Sequence, residues 1–330
     1  MGFAKLGLPR FRFERGLQEV GPGLHAYLQP DGSWGWSNAG LVVDGDASLL
    51  VDTLFDLRLT QTMLEAMRRA EPRATRRIGQ LVNTHANGDH CFGNALVEGA
   101  EIIASRATAE EMKHLPAAVL AGLATGLGSQ DSALGRFVQR AFGPFAFDEV
   151  GETKLPTRTF EKSLSLRVGD RAVELFEVGP AHTRGDVIVH VPDARCVFTG
   201  DILFVEGTPI VWEGPVSNWI AACDRILALE PELVVPGHGP ITDRRGVDAM
   251  RAYFVWLTRE ARARFDAGLD AATAARDIPL GEFADWSDPE RIVVNVDTLF
   301  REFGWRESGE AHPEPDTLRL LEGMSAYASG

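Results

Sequence analysis

A chain of 330 residues, 45% hydrophobic and 24% charged, carries enough apolar material for one large self-sufficient core. Its formal net charge of -14 argues against a nucleic-acid partner, whose phosphates need clustered Lys and Arg, and disfavours an anionic membrane surface. Cys91, Cys196 and Cys223 form no close pair, no run reaches the roughly 18 apolar residues of a membrane span, and "MGFAKLGLPRFRFERG" lacks the apolar core of a secretion signal; the expectation is a cytoplasmic protein without a disulfide framework.

In chain order, "GLVVDGDASLLVDT" (40–53) reads as two short strands joined by a turn at Asp44-Gly45-Asp46. "LRLTQTMLEAMRRA" (57–70) is an amphipathic helix with a basic end. "GQLVNTH" and "AEIIASR" (100–106) return as strands, a rhythm that predicts layered α/β architecture. The stretch 107–147 changes character: helices broken by Pro116, Gly126, Gly128 and Pro144, read as an insertion covering a pocket, or equally as helices packed away from it. Strands resume with "LSLRVG", "RAVELFEVG", "DVIVHVPD" and "RCVFTGD", followed by a helix over 217–229 capped by Ser217 and a last strand in "ELVVPGHG". Val247, Met250, Phe254, Leu257, Ala261 and Phe265 recur at helical steps. Two further helices, near 270–276 and 287–303, complete a C-terminal extension (246–330) packed on the domain formed by 1–245.

Four of these strands end in a Gly-bearing turn with His or Asp at its lip. "NTHANGDH" offers His85, Asp89 and His90; "EVGPAHTRGD" offers His182; "VFTGD" offers Asp201; "VVPGHG" offers His238. Half of the eight histidines fall at such positions. Imidazole and carboxylate are the ligands that suit zinc and its first-row neighbours.

The set "THxNxDH", "GxAHTxGD", "FTGD" and "PGHG", in this order, resembles the metallo-β-lactamase superfamily, as does "LVDT" at 50–53. The resemblance covers about residues 22–245 and implies a four-layer αβ/βα sandwich holding one or two divalent ions, zinc foremost, with iron or manganese as alternatives. Carried over by position, one site is His85, Asn87 and His182, and the other is Asp89, His90 and His238, with Asp201 bridging. The family pattern is H-x-H-x-D-H, so Asn87 stands where an imidazole is expected. Three outcomes stay open: a weak first site with Asn87 or water as ligand, an empty first site beside a single ion, or a harder ion that tolerates oxygen.

Asp52 is read as a hydrogen-bond acceptor beside the site rather than a ligand, and Cys91 as a buried small residue. His25, His114, His190 and His312 lie in no motif and are taken as structural. Catalysis is assigned to Asp89, which would orient a water, accept its proton or ligate. The resemblance implies hydrolysis of a small molecule. Leu115, Val119, Leu120, Leu123, Phe137, Val138 and Phe142 of the insertion, with Trp34, Trp36 and Trp212, suit an apolar ester, thioester or lactone, although core packing accounts for the first seven equally well. Iron-dependent oxidoreductase chemistry on the same fold, or a binding module with a vacated metal site, are the alternatives, and a homodimer is allowed.

Overall fold

The computed structural model describes residues 5–31, 34–114, 116–308 and 315–329; Leu115 and His312 lie outside them. Two sheets face each other. The first runs β1 (Gly16–Gly21), β2 (Leu24–Leu28), β3 (Ala39–Asp44), β4 (Ala47–Val51), β5 (Gln80–Val82), β6 (Glu101–Ser105) and β7 (Arg158–Phe160), in that spatial order. It is antiparallel up to β4 and parallel from β4 to β7. The second has β8 (Ser163–Val168), β9 (Arg171–Glu177), β10 (Val187–Val191), β11 (Cys196–Phe198) and β12 (Leu233–Val235), with only the β11–β12 pair parallel.

Alternation along the strands builds the sandwich. Val42, Leu49, Val51 and Val82 of the first sheet meet Val173, Leu175, Val187, Val189 and Phe198 of the second in one buried cluster. The other face of the first sheet, with Leu41, Leu50, Leu81 and Ile102, receives Met63, Leu64 and Met67 of α1 (Leu57–Ala70). The outer face of the second, with Ile188, Val197 and Val234, is covered by α6 (Val216–Ala228) and α7 (Arg244–Asp266). Helix, sheet, sheet, helix is the expected four-layer order.

Between the first sheet's strands lie the short α2 (Gly88–Cys91), then α3 (Arg106–Glu111), α4 (Ala117–Gly126) and α5 (Ala133–Phe142), the last capped by the Ser132 hydroxyl. Of the insertion's apolar residues, Leu120, Phe137, Val138 and Phe142 are core, Leu123 is half-buried and Val119 is 46% exposed. Core packing therefore accounts for four of them.

The hairpin of β1 and β2, not read from the sequence, carries a register shift between Glu19 and Gly21. Two readings need correction. Ser217 does not cap α6. The cap position is Pro215, and the first amide, Val216 N–H, donates to the Glu302 carboxylate at 2.9 Å. The last expected helix begins five residues late, as α9 (Ile292–Ser308), because Asp288 is left-handed (φ 52) and Pro289–Arg291 form a 3-10 turn. Helix α8 (Ala271–Asp277) lies near its expected place, whereas α10 (Thr317–Ala328) was not read at all. The boundary drawn at 245/246 falls inside α7, a single helix of 23 residues. No helix of the described residues is long and apolar enough to cross a membrane.

Candidate metal centre

All six expected His and Asp ligands arrive at one rim of the sandwich. His85 follows β5, and Asp89 and His90 sit on α2. His182 follows β9, Asp201 lies in the turn after β11, and His238 follows β12. Each is buried, none more than 6% exposed. Their ligand atoms form two groups of three, His85–His182–Asp201 and Asp89–His90–His238, each with its atoms within 4.8 Å of one another. Asp201 joins them: its Oδ1 lies 3.1 Å from His90 Nε2, and its Oδ2 lies 3.3 Å from both His182 Nε2 and His238 Nε2 and 3.7 Å from His85 Nε2.

Glycine makes this convergence sterically feasible. A Cβ at Gly237 would sit 2.0 Å from Asp201 Oδ1, and one at Gly200, itself left-handed (φ +50), would sit 2.5 Å from Thr84 Oγ1. The asparagines of "NTHANGDHCFGN" lock the loop. Asn83 Nδ2 donates to the His90 carbonyl at 2.9 Å, and Asn94 Nδ2 returns a bond to Asn83 Oδ1 at 2.8 Å.

Hydrogen bonds on the far side of three rings set their tautomers. Asp52 accepts from Thr84 N–H and Thr84 Oγ1–H, both at 2.7 Å, and from His90 Nδ1–H at 2.9 Å. Having given its proton to Asp52, Thr84 Oγ1 can only accept from His85 Nδ1, 3.0 Å away. His182 Nδ1–H donates to the Ile210 carbonyl at 2.7 Å. In each neutral ring, Nε2 is then the bare lone pair turned toward the rim. The fourth ring, His238, lies flat against Phe204, with centroids 4.8 Å apart and planes 1° from parallel.

Charge reinforces the geometry. Burial opposes a charged His90 ring, but Asp201, Asp89 and Asp52 together carry it well above the ordinary histidine range. Burial likewise opposes His238, which Asp201 and Asp89 push up to about 9. His85 is driven well below the histidine range by burial, then by His90. Burial raises Asp201, yet His238, His90 and His85 hold it well below the usual carboxylate range. Two carboxylates among four imidazoles thus draw positive charge to this point. Among the described residues His85 Nε2 is buried without a hydrogen-bond partner, and His90 Nε2 and Asp201 Oδ1 have only each other, 3.1 Å apart. Orphaned polar atoms are costly, and a divalent cation is the group this donor set fits.

Asn87 is half-buried at the edge of the first group, with its amide nitrogen 2.8 Å from His182 Nε2. Several residues at the centre carried no signal in the sequence. The segment 208–211 that supplies the Ile210 carbonyl is pinned by the C-terminal extension. Asn295 Nδ2 donates to Pro209 O at 2.9 Å while its Oδ1 accepts from Val211 N–H at 2.8 Å. Thr298 Oγ1 donates to Val211 O at 3.0 Å, and Arg291 to Thr208 O at 3.0 Å. Arg291, 2% exposed, has its guanidinium 4.7 Å from the Trp34 ring and 5.3 Å from the Phe204 ring. Trp219 of α6 donates to the Ile202 carbonyl at 2.9 Å, beside Asp201, and meets His182 edge-on at 5.8 Å. Trp34 packs edge-on against Phe137 and Phe142 of the insertion at 5.8 and 6.1 Å. A small cavity of about 120 Å³ lies beside His238, lined by Phe13, Asp31, Phe204, Glu206 and Ser287 among others.

Comparison with known proteins agrees with this picture. The chain is 26% identical over 213 residues to the acyl-coenzyme A thioesterase MBLAC2 of Homo sapiens, an alignment spanning 61% of this chain and 72% of that protein. It is 34% identical over 145 residues to a hydroxyacylglutathione hydrolase of Brucella anthropi, spanning 43% of this chain and 49% of its relative. A stereoselective inverting sec-alkylsulfatase from Pseudomonas sp. superposes with a TM-score of 0.65 at 16% identity, covering 91% of this chain and 52% of that one, a likeness of fold. Residues 32–238 match the family model described as the metallo-beta-lactamase superfamily, and with its sandwich and its six-donor rim the chain belongs to that superfamily as a hydrolase.

Proposed function

We propose that this chain is a metal-dependent hydrolase acting on a small ester, thioester or lactone with apolar flanks. The observation that carries the reading is the convergence of four buried imidazoles and the carboxylates of Asp89 and Asp201 on one point of the rim, where His85 Nε2 has no hydrogen-bond partner among the described residues. His85, His182 and Asp201 would hold one ion, and Asp89, His90 and His238 a second, with Asp201 facing both. Four imidazoles and two carboxylates suit zinc before iron or manganese. When bound, such an ion supplies Lewis-acid polarisation and a water acidic near pH 7.

The protein's own residues do the rest. Burial opposes the charge of Asp89, yet His90 and His238 hold its carboxyl below the usual range, so it stands as a carboxylate able to orient a water and take its proton. Two relatives are named as a thioesterase and a hydroxyacylglutathione hydrolase, which supports acyl transfer to water.

The test pairs metal analysis with hydrolysis of aryl esters, acyl thioesters and lactones. The purified chain should hold zinc and turn over at least one of these substrates. A chelator should abolish turnover, and added zinc should restore it. Protein that stays metal-free after reconstitution, or turnover that survives chelation, overturns the reading. Redox-active iron as the resident ion would favour oxidoreductase chemistry instead.

A further inference from the structure

The two groups of donors are not equivalent, and the difference lies at His182. Its Nδ1 is 2.7 Å from the Ile210 carbonyl, which can only accept, so Nδ1 carries a proton. In the neutral ring, the form that ligates metals, Nε2 is a bare lone pair. Asn87 Nδ2 stands 2.8 Å from it, and only the N–H face of an amide can meet a lone pair at that distance. The amide oxygen is therefore turned away. By contrast, His85 Nε2 has no hydrogen-bond partner among the described residues, and His90 Nε2 faces only the carboxylate of Asp201, itself a candidate ligand.

We infer that Asn87 donates its amide N–H to the lone pair His182 would offer a cation, so that the chain works with a single tightly held ion in the Asp89–His90–His238 group. The inference rests on the metal-hydrolase reading above. An ion placed among His85, His182 and Asp201 must first break that hydrogen bond and turn the amide about. It then gains at best a neutral oxygen, a poorer zinc ligand than the imidazole the family pattern has there. The other group has its own carboxylate in Asp89, and Asp201 Oδ1 lies 3.1 Å from His90 Nε2.

Zinc binding to the full chain, measured by competition with a chromogenic chelator, tests this without recourse to activity. The wild type should bind one zinc tightly and a second at least about a hundredfold more weakly, a gap as large as an outer ligand partner is worth. Asn87→Ala removes the donor without adding a ligand and should tighten the second event by about threefold to tenfold, the worth of one net hydrogen bond. Asn87→His should close most of the gap. His90→Ala should abolish the tight event, and His85→Ala should leave it intact. Two equally tight zincs in the wild type, or a second event weakened by Asn87→Ala, would overturn the inference, the latter by showing the amide oxygen to be a ligand. No zinc in any variant would overturn the hydrolase reading itself.

Discussion

Asp52 touches no substrate, yet it settles how two histidines face the rim. Its backbone is left-handed (φ 64), a conformation few non-glycine residues adopt, and its carboxylate receives three donors from Thr84 and His90. Burial raises its carboxyl above the usual range, outweighing His90 and Thr84, but three convergent donors keep it an acceptor. Removing it leaves His90 Nδ1–H and Thr84 N–H buried without an acceptor. Asp52→Ala should lower zinc affinity by about tenfold to a hundredfold; chelator competition against the wild type reads the change, and an unchanged affinity would reduce Asp52 to a packing residue. At this scale the sequence was informative wherever a strand ended in a short motif. "THANGDH" put four polar residues of the rim within six positions, because a turn needs only near neighbours to aim its side chains. The Ile210 carbonyl was invisible, since any residue type supplies a carbonyl.

At the scale of elements, α9 acts on the centre from a distance. Asn295, fully buried, holds both Pro209 and Val211 and thereby the carbonyl between them that orients His182. Asn295→Leu strands Val211 N–H and should destabilise the fold by about 1–3 kcal/mol. It should also weaken zinc binding by the His85–His182–Asp201 group more than by its neighbour, which separates a positioning effect from general loosening. Glu302, seven places further along α9 in the sense of the chain, caps α6 through Val216 N–H. Burial raises its carboxyl above the glutamate value of 4.5, although Val216, Arg306 and Arg301 oppose the shift. Between 4.5 and that higher folded value the native state binds more protons than the unfolded one, so its contribution to stability is full below 4.5 and is lost as pH rises. Glu302→Gln keeps the accepting oxygen and removes the titration. Urea unfolding at pH 5 and pH 8 should show a larger loss for wild type than for this variant, and equal losses would refute the assignment. The Ser217 reading failed for the same reason: a helix start is usually capped locally, but here the acceptor comes from 86 residues away.

For the whole molecule, the sandwich and its C-terminal helices share one buried apolar cluster. Tyr253, Phe254 and Leu257 of α7 are buried, Phe254 lies 4.6 Å from Trp219, and Trp219 in turn holds the turn that bears Asp201. A chain ended at 245 should lose cooperative unfolding and zinc binding together, because truncation uncovers this aromatic core; a truncated chain that melts sharply would make the extension a separable domain. Zinc should raise the melting temperature of the metal-stripped protein, since saturation at about a hundred times Kd stabilises the native state by about 2.7 kcal/mol. The amino-acid sequence alone determined the alternating strands, the amphipathic α1 and α7, and the Gly-bearing turns that carry His85, Asp89, His90, His182, Asp201 and His238, because periodicity and turn chemistry act over a few residues. Only the tertiary structure decided that Asn87 meets His182, that Asn295 steadies the segment behind it, and that Phe204 and Arg291 stack beside His238. Those contacts join residues tens of positions apart, and such distances are set by how the two sheets and their helices pack.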